Sequence, residues 1–422
     1  MRHLSLRLVF VGAVLIIATG CATSPNNFAD DNPPIVHALP GQTVKQVVDS
    51  LPPAGGTVAL GPGTWVSGYD IDFISKRNVT IQGSGIPNYN SAFTAMSGGT
   101  IVLGRLAAST GADHFTVRDL GVDAGQEYIN ANNGGVPTDA LAIYNAGQVV
   151  GAPQVESPVI ENVSCLGYSP TAPAHCMLVE NVNHAYVHDV IAVKNCHGLV
   201  LKGTNSTVDG VFSRGHSITS VIVKSDNYAP ASQDNLSNIS IVPLVTPGDT
   251  RGISIIGVAA PLSDISISKA RIESPLSWGI HIEGASAATP AFDLNLSDIF
   301  VNYWGNSPAG EYCVQFIQYV RTVHINNLNC SDMWVGLAPY LPAPGSFGGV
   351  SVAGSQFTNI ATNAIETYGD WNISNASFAS IAGNGIVNPS GVTAVYGNTF
   401  TDIGGSNMVS TGGTFVVQSS PY

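Results

Sequence analysis

The chain has 422 residues, of which only 10% are charged, and its formal net charge is −13 at neutral pH. Glycine is abundant, with 46 residues, and long segments rich in Glu, Lys and Leu are missing, so the composition argues against long amphipathic helices and favours short strands joined by tight turns. The acidic balance and the lack of any Lys or Arg run argue against nucleic acid as a partner.

The first 20 residues have the pattern of an export signal. Arg2 and Arg7 precede an apolar run at residues 8–17, and small residues follow it before Cys21, which is the order of a signal peptide. A Cys directly after small residues resembles the bacterial lipobox, and this resemblance implies that Cys21 becomes the lipidated first residue of the mature protein. We therefore predict a lipoprotein signal peptide at residues 1–20; a plain signal peptide with an incidental Cys is the alternative.

Residues 21–34 are polar and rich in Pro, Asn and Asp, so we predict a flexible tether between the lipid and a folded domain. Without residues 1–20 the chain keeps 13 basic and 28 acidic residues, a net charge of −15. No second apolar run approaches the ~18 residues that a membrane-spanning helix needs. We expect the protein to be exported and anchored through a lipid on Cys21 to the cell membrane or the outer membrane. A position at the cell surface is a further expectation.

A short amphipathic segment at about residues 42–50 predicts a helix, and two Gly-rich strand phrases follow it. They read GGTVALGPGTW at residues 55–65 and VTIQGSG at residues 79–85. A short helix followed by these phrases resembles the N-terminal cap and first coils of the pectate-lyase-like, right-handed parallel β-helix superfamily. The helix is expected to cover the open end of the solenoid, where an exposed strand edge would invite aggregation.

A short phrase recurs through the rest of the chain at intervals of 26 to 61 residues, and the shorter intervals match the length of one solenoid coil. Asn and Asp tolerate the left-handed backbone conformation that a tight corner needs, and one coil alone cannot bury its apolar face. The repeat therefore predicts an all-β protein: a right-handed parallel β-helix over residues 35–422, with a short N-terminal capping helix. Each copy places Asn or Asp before Val or Ile, at Asn162, Asp189, Asn238, Asp264, Asp298, Asn359 and Asp402.

Five cysteines are present besides Cys21. An exported protein can keep disulfides, and an odd number leaves at least one thiol free. No zinc-like CxxC pairing is present. Cys165 with Cys176, and Cys313 with Cys330, could each form a disulfide bond within one coil.

Stacked coils lie about 4.8 Å apart, so equivalent positions form columns along the outside of the solenoid. These columns gather an uncommon share of the His, Lys and Arg residues of a charge-poor chain, which is the best functional signal in the sequence. His216 lies near the first column. The first column, just before a strand, would contain Asp139, His175, His197, Thr219, Arg251 and Trp278, and a second, at the far end of the strand, Tyr144, Glu180, Lys202, Lys224, Ile256 and Glu283.

Two kinds of chemistry are consistent with these columns. The segment TDALAI at residues 138–143 is similar to the TDGIDI phrase of polygalacturonases, which implies a catalytic Asp139, and GHS at residues 215–217 faintly resembles their GHG phrase. However, His175 stands where those enzymes carry a second Asp, and glycoside hydrolysis needs two suitably spaced carboxyl groups.

Histidines beside cations suit the removal of the proton next to a uronate carboxylate. His175 or His197 would be the base, and a Lys or Arg would stabilise the charge. The acidic chain argues against polyanionic substrates in general, unless a local basic site overrides the overall field. The candidate catalytic residues are Asp139, His175, His197, Lys202, His216, Lys224 and Arg251.

Each candidate also has a purely structural alternative. The two histidines would stack as a turn ladder, Asp139 would be a turn residue, and the lysines would join a solvent-exposed charge ladder that adds little stability. The tryptophans Trp278, Trp304 and Trp334 are candidate sugar-stacking platforms, or they pack loops onto the coils. Asp226 and Asp234 are expected to be solvated turn residues. No dense Asp cluster predicts a metal site, although the family resemblance allows calcium.

The sequence therefore predicts a cell-envelope protein that acts on a polysaccharide by lyase, epimerase or glycoside hydrolase chemistry. The alternative is a surface lipoprotein without catalysis that binds carbohydrate or mediates adhesion. A groove and a lowered Lys pKa would favour the enzyme, whereas a flat, solvated face would count against it.

Overall fold

The structure is a computed structural model that describes residues 33–69, 72–125, 139–144, 149–167, 174–242, 251–303, 311–340 and 347–418. From Pro34 onward, the described residues belong to one compact unit. In this part of the chain, no helix has the length and apolar character needed to cross a bilayer. The predicted signal peptide, Cys21 and Trp304 lie outside the described residues.

The predicted N-terminal helix is present as α1 (Val44–Ser50). Thr43 caps it, because its hydroxyl accepts from the backbone N–H of Gln46 at 3.2 Å while the Gln46 side chain accepts from the Thr43 N–H at 2.9 Å. This reciprocal pair satisfies two of the free donors at a helix start. The helix then buries one side against the first coil, through Val44, Val47 and Val48.

Strands make up most of the remaining described chain. The first eleven are β1 (Ile35–His37), β2 (Gly56–Ala59), β3 (Gly63–Val66), β4 (Val79–Gln82), β5 (Asn88–Tyr89), β6 (Met96–Ser97), β7 (Thr100–Leu103), β8 (Leu106–Ser109), β9 (Thr116–Asp123), β10 (Leu141–Tyr144) and β11 (Val155–Glu156). The next twelve are β12 (Val159–Leu166), β13 (His175–Asn183), β14 (Tyr186–Thr204), β15 (Thr207–Ser225), β16 (Ala231–Ser232), β17 (Asn235–Val242), β18 (Arg251–Gly257), β19 (Leu262–Glu273), β20 (Trp278–Gly284), β21 (Ala291–Asn302), β22 (Tyr312–Ile317) and β23 (Val320–Ser331). The last eleven are β24 (Val335–Tyr340), β25 (Phe347–Ala353), β26 (Gln356–Ile360), β27 (Ile365–Tyr368), β28 (Trp371–Ser374), β29 (Ser377–Ile381), β30 (Ile386–Ser390), β31 (Val392–Tyr396), β32 (Thr399–Ile403), β33 (Met408–Ser410) and β34 (Thr414–Val417).

The strands pair in parallel with the equivalent strands of the next coil, apart from the β5–β6 hairpin. Long strands such as β14 turn two corners and contribute to three sheets. In β14, residues 186–188 lie in sheet II, residues 190–193 in sheet III and residues 197–204 in sheet I. This is the predicted parallel β-helix. Sheet I, which carries the candidate site, consists of β8, β10, β13, β18, β20, β22, β24, β27, β30, β33 and the C-terminal parts of β14 and β15.

The predicted left-handed corners are confirmed, because all seven repeat residues have φ between 50° and 56°. Asn162, Asp189, Asn238 and Asp298 share one corner between sheets II and III. Asp264 lies at a second corner, and Asn359 and Asp402 share a third, so the phrase marks three corners of the coil. Side chains also bond along the stack, as when Asn162 Nδ2 donates to Asp119 Oδ1 at 2.7 Å.

The interior is a stack of branched apolar side chains. The residues that follow the corners at Asn162 and Asn238, Val163 and Ile239, are at most 1% exposed. Both suggested disulfides are present, between Cys165 and Cys176 and between Cys313 and Cys330. Each joins two sheets of one coil, and a bond closing a loop of this size contributes about 3 kcal/mol to stability.

Candidate active site

The outer face of sheet I, here called the site face, carries the predicted columns in the predicted register. In the first column, His175 pairs with His197, His197 with Thr219, Thr219 with Arg251, and Arg251 with Trp278. The column continues through Tyr312 to Val335. The far column pairs Glu180 with Lys202 and Lys224 with Ile256, and it continues through Glu283 and Ile317 to Tyr340.

A middle column, which the sequence analysis did not identify, lies between these two. Its later members are polar: Ser254 pairs with His281, and His281 with Gln315, all at most 3% exposed. The signal was present in β20, where His281 alternates with two buried isoleucines and must point outward. The earlier members form a small apolar floor of Ala107, Ala142, Leu178, Val200 and Ile222.

Asp139 and His175 form a close pair on this face. Oδ1 of Asp139 accepts from the backbone N–H of His175 and contacts its ring Nδ1, both at 2.8 Å. A carboxylate on Nδ1 holds the imidazole in the Nδ1–H tautomer, so Nε2 carries the lone pair. Among the described residues, none bonds to His175 Nε2, and the side chain is 21% exposed. Both predicted residues therefore meet in an arrangement suited to a base and its positioning group.

The ring of His197 stacks on that of His175, with 5.2 Å between centroids and 20° between planes. Burial, together with the charges of His175, His216, Arg251 and Lys224, lowers the pKa of His197 to about 3. His197 is therefore neutral over the physiological range. Its Nδ1 is buried without a hydrogen bond to any described residue, which is costly for a donor and favours the lone pair at this position.

Two cations lie beyond this pair on the site face. Lys224 is partly exposed and forms no ion pair with a described residue. The guanidinium of Arg251 lies 4.3 Å from the ring centroid of Trp278, and burial lowers its pKa, an effect that Glu283 opposes. Both cations are close enough to lower the pKa of His197, so positive charge lies beside the two histidines.

Lys202 is held differently from the predicted solvent-exposed ladder. Its Nζ donates to Glu180 at 2.6 Å and to Asp226 at 3.0 Å, and all three side chains are at most 14% exposed. Burial acts to lower the pKa of Lys202, but the two carboxylates outweigh it and the pKa is raised. A cation neutralised in this way is a structural anchor, and its pKa shift is opposite to the one expected of an enzymatic lysine.

Asp226 and Asp234 were expected to be solvated, and both expectations were wrong. Asp226 lies in the ion triad, and the contact with Lys202 helps to lower its pKa against the effect of burial. Asp234 is fully buried, and its Oδ1 accepts from the backbone N–H of Ser206 at 2.9 Å. Burial raises the pKa of Asp234 to about 7.

His216 is fully buried and does not reach the site face. Its Nε2 lies 3.1 Å from the carbonyl oxygen of Ala192, and the ring lies beneath Gly198, where an added Cβ would come within 2.9 Å of Nε2. A register shift between β14 and β15 causes this position, because Asn195 pairs with His216 whereas His197 pairs with Thr219. The extra residue of such a bulge redirects the side chain.

The later coils carry a cavity of about 550 Å³ on the same face. Two of the predicted sugar-stacking residues, Trp278 and Trp334, line it, and the third, Trp304, lies outside the described residues. Trp334 is 50% exposed and Tyr340 46% exposed. His281 stacks on Trp278 at 4.6 Å and donates from Nε2 to Glu283 at 3.0 Å. The remaining lining residues are Glu311, Tyr312, Gln315 and Ile317.

A metal is not suggested by these clusters: within the described residues, no group of three His, Cys, Asp or Glu side chains is arranged to hold one. The carboxylates of Glu180 and Asp226 are already bridged by Lys202.

No family model and no curated protein sequence matches this chain, but solved structures match it along most of its length. The A-module of mannuronan C-5 epimerase AlgE6 from Azotobacter vinelandii has a TM-score of 0.56 at 14% identity, covering 90% of this chain and 94% of the module. The catalytic domain of a GH87 alpha-1,3-glucanase in complex with tetrasaccharides has a TM-score of 0.55 at 13% identity, covering 91% of this chain and 71% of that domain.

A third similar structure is PfbA, a surface adhesin of Streptococcus pneumoniae, with a TM-score of 0.51 at 10% identity, covering 86% of this chain and 88% of the adhesin. At these identities the likeness shows the fold alone. The chain has the parallel β-helix fold that its sequence predicted, and a fold shared by enzymes and an adhesin leaves function to be argued from the site.

Proposed function

We propose that this protein binds an acidic polysaccharide along the site face and removes the proton at C5 of a uronate unit, with His175 as the base. The observation that carries the proposal is the contact of Asp139 with His175 Nδ1 at 2.8 Å. It leaves the lone pair on Nε2, which no described residue engages. A base must be oriented towards its proton before its pKa matters, and Asp139 supplies that orientation.

The cations beyond the histidines support the same chemistry. When the C5 proton moves to His175 Nε2, its electron pair is delocalised into the neighbouring carboxylate, which gains negative charge. Lys224 and Arg251 would stabilise that charge in a partly buried site, where fixed charges act strongly. His197 stacks on His175 and is neutral, so it adds no third positive charge to the place where the substrate carboxylate would lie beside Lys224 and Arg251.

Two outcomes follow from the same intermediate. If the C4 glycosidic oxygen leaves with its bonding pair and takes a proton, a C4–C5 double bond forms and the reaction is a lyase reaction. If C5 instead takes a proton on the opposite face, the sugar is epimerised. Hydrolysis has less support, because Asp139 is engaged by His175 and the carboxylates of Glu180 and Asp226 are engaged by Lys202.

The test is hydrogen exchange at C5. Polygalacturonate, alginate and a glucuronate-containing polymer would be incubated with the protein in deuterated buffer, and deuterium at C5 measured by NMR together with the ultraviolet absorbance of unsaturated uronate. We expect one of these signals from the wild type, its loss in His175→Ala, and no change in His188→Ala, a surface histidine of sheet II. No signal with any polymer, or full activity in His175→Ala, would overturn the proposal.

A second candidate function is glycan binding without catalysis, and the observation that favours it is the exposed pair Trp334 and Tyr340 beside a cavity. One of the similar structures is an adhesin and another is a C-5 epimerase, so the fold is used for both kinds of role. Polysaccharide retained by the wild type and released by Trp334→Ala, in the absence of any C5 exchange, would establish binding as the function.

We also propose that the protein is exported and anchored through a lipid on Cys21, because basic, apolar and small residues precede this Cys in the order of a lipoprotein signal. Expression of the full chain and of Cys21→Ser, followed by separation of membrane and soluble fractions, tests this. The wild type should pellet with the membranes and Cys21→Ser should not; equal partitioning would contradict the anchor.

A further inference from the structure

The unpaired charges of the site face differ along the solenoid. Lys224 and Arg251 form no ion pair with a described residue and lie on the earlier coils, whereas Glu311 lines the cavity of the later coils. Glu366 follows Ala338 in the middle column, because Ile365 pairs with Leu337. In the described part of the chain, neither Glu311 nor Glu366 forms an ion pair. The one charged residue of the cavity lining, Glu311, therefore has no cation partner among the described residues.

The pKa shifts of side chains around the cavity also reflect these carboxylates. Burial raises the pKa of Tyr312, and the carboxylates of Glu311 and Glu366 raise it further. Glu283 is the better neutralised of the nearby carboxylates, since it accepts from His281 and is attracted by Arg251, which together lower its pKa. A carboxylate brought into this cavity by a ligand would meet the carboxylate of Glu311, and the described lining residues include no cation to offset the repulsion.

The cavity is also built of flat aromatic surfaces. Trp278, Tyr312 and Tyr340 come from three successive strands of sheet I, and Trp334 directly precedes the last of these strands. Gln315 lies on the floor, with its Oε1 3.2 Å from Nδ1 of His281. Aromatic faces pack against the apolar faces of sugar rings while their edges accept polar neighbours. Carboxylate and amide oxygens accept hydrogen bonds from hydroxyl or amino groups. The lining thus fits a pyranose that donates hydrogen bonds.

We infer that this aromatic cavity is a subsite for a sugar unit that carries no carboxylate. The inference rests on the proposal that the site face binds glycan, but not on proton abstraction by His175. Trp278 is three strand steps from His197, roughly 14 Å at about 4.8 Å per step, so one polysaccharide chain can reach both places. The ligand of the whole face is then a mixed polymer, with a uronate at the His175 end and a neutral or amino sugar at the Trp334 end.

Binding of short oligosaccharides tests this inference. Tetrasaccharides of glucose, of glucosamine and of galacturonate would be titrated by calorimetry into the wild type, Trp334→Ala, the double variant Glu311→Gln with Glu366→Gln, and Tyr186→Ala. Tyr186 is a matched control because it is 40% exposed on another sheet. Thermal unfolding of each variant shows that a surface substitution has left the fold intact.

We expect the glucose or glucosamine ligand to bind the wild type, to lose about tenfold in affinity in Trp334→Ala, and to be unaffected by Tyr186→Ala. Galacturonate should bind the double variant more tightly than the wild type. A preference for glucosamine that disappears in the double variant identifies an amino sugar, whereas equal binding of glucose and glucosamine identifies a neutral one.

Failure of both carboxylate-free ligands to bind, or binding that Trp334→Ala leaves unchanged, overturns the inference, as does galacturonate binding tightest to the wild type. These results are separable from the exchange assay. Loss of C5 exchange with intact glucose binding removes the proposed chemistry alone, and C5 exchange without glucose or glucosamine binding removes the subsite alone.

Discussion

The imidazole of His197 lies parallel to that of His175 at 5.2 Å, and only His175 has a carboxylate partner, Asp139. The two rings therefore differ in role although they occupy equivalent positions in neighbouring coils. His175 can share a positive charge with Asp139, whereas His197 is kept neutral by burial and by the cations around it. The lone pair that can accept a proton from the substrate is therefore the one on His175 Nε2.

The first prediction concerns the stability of the fold in acid. Because burial lowers the pKa of His197 from 6.5 to about 3, the unfolded chain binds a proton that the folded chain does not. This contribution to stability is present above the unfolded pKa and is lost as the pH falls below it, by up to about 1.4 kcal/mol per pH unit.

His197→Gln removes the group that takes up this proton. The free energy of unfolding of the variant should therefore fall less steeply than that of the wild type as the pH is lowered. Denaturant unfolding of both proteins between about pH 7 and about pH 4 measures the difference. Curves that stay parallel over this range would contradict the lowered pKa.

The second prediction concerns alkaline conditions. Burial raises the pKa of Asp234 from 3.8 to about 7, so the folded state holds a proton that the unfolded state has already released. The stability from this group is present below the unfolded pKa and is lost as the pH rises through the folded pKa, by on the order of 4 kcal/mol in total. Asp234→Asn keeps the acceptor for Ser206 and should be clearly more stable than the wild type at about pH 9.

The same unfolding experiment at about pH 4 supplies the control for Asp234→Asn, since the protonated carboxyl and the amide then have similar hydrogen-bonding groups. A variant as unstable as the wild type at high pH would show that Asp234 ionises at no cost in the folded state.

The third prediction concerns the ion triad. Lys202→Met leaves Glu180 and Asp226 facing each other in a buried site, and removal of one member of a buried pair costs about 3–5 kcal/mol. Denaturant unfolding should show this loss, and the added change Glu180→Gln should restore part of it. If Lys202→Met unfolds like the wild type, the lysine is free, and its place among the catalytic candidates should be reconsidered.

The fourth prediction isolates the strain of a corner. Asn238 has φ of 53° and donates from Nδ2 to Asp209 at 2.5 Å. Asn238→Gly and Asn238→Val both lose that hydrogen bond, but only Val is strained by the left-handed backbone. Asn238→Val should therefore have the lower free energy of unfolding, by roughly 1–2 kcal/mol. Gly210, which occupies this corner one coil earlier with φ of 72°, shows that glycine fits. Equal stabilities of the two variants would mean that the corner can relax.

The fold was predictable because its signals are local and repeated. Each Asn or Asp corner constrains its own coil, and stacking then determines which residues of neighbouring coils pair. The columns through His175 and His197 followed from that register, since a strand alternates its side chains with a period of two.

The parts of the site that were missed depend on features that break the repeat. His216 was placed near the outer face because a bulge of one residue between β14 and β15 has no clear sequence mark, and a shift of one residue changes the face. Lys202 was expected to be solvated because Asp226 reaches it from the turn after β15, at a position outside both columns. The pairing of Asp139 with His175 depends on side-chain geometry between residues that are 36 positions apart in the sequence.

The most direct test of the account is whether Asp139 acts through His175. C5 exchange rates on a uronate polymer that the wild type converts would be compared for Asp139→Asn, His175→Ala and the double variant, with the folding of each checked by thermal unfolding. If Asp139 positions the base, each single change lowers the rate by about 10²-fold or more. The double variant is then no slower than His175→Ala, because Asp139 contributes to catalysis only through His175. Independent, multiplying losses would contradict the account, and so would Asp139→Asn with the wild-type rate.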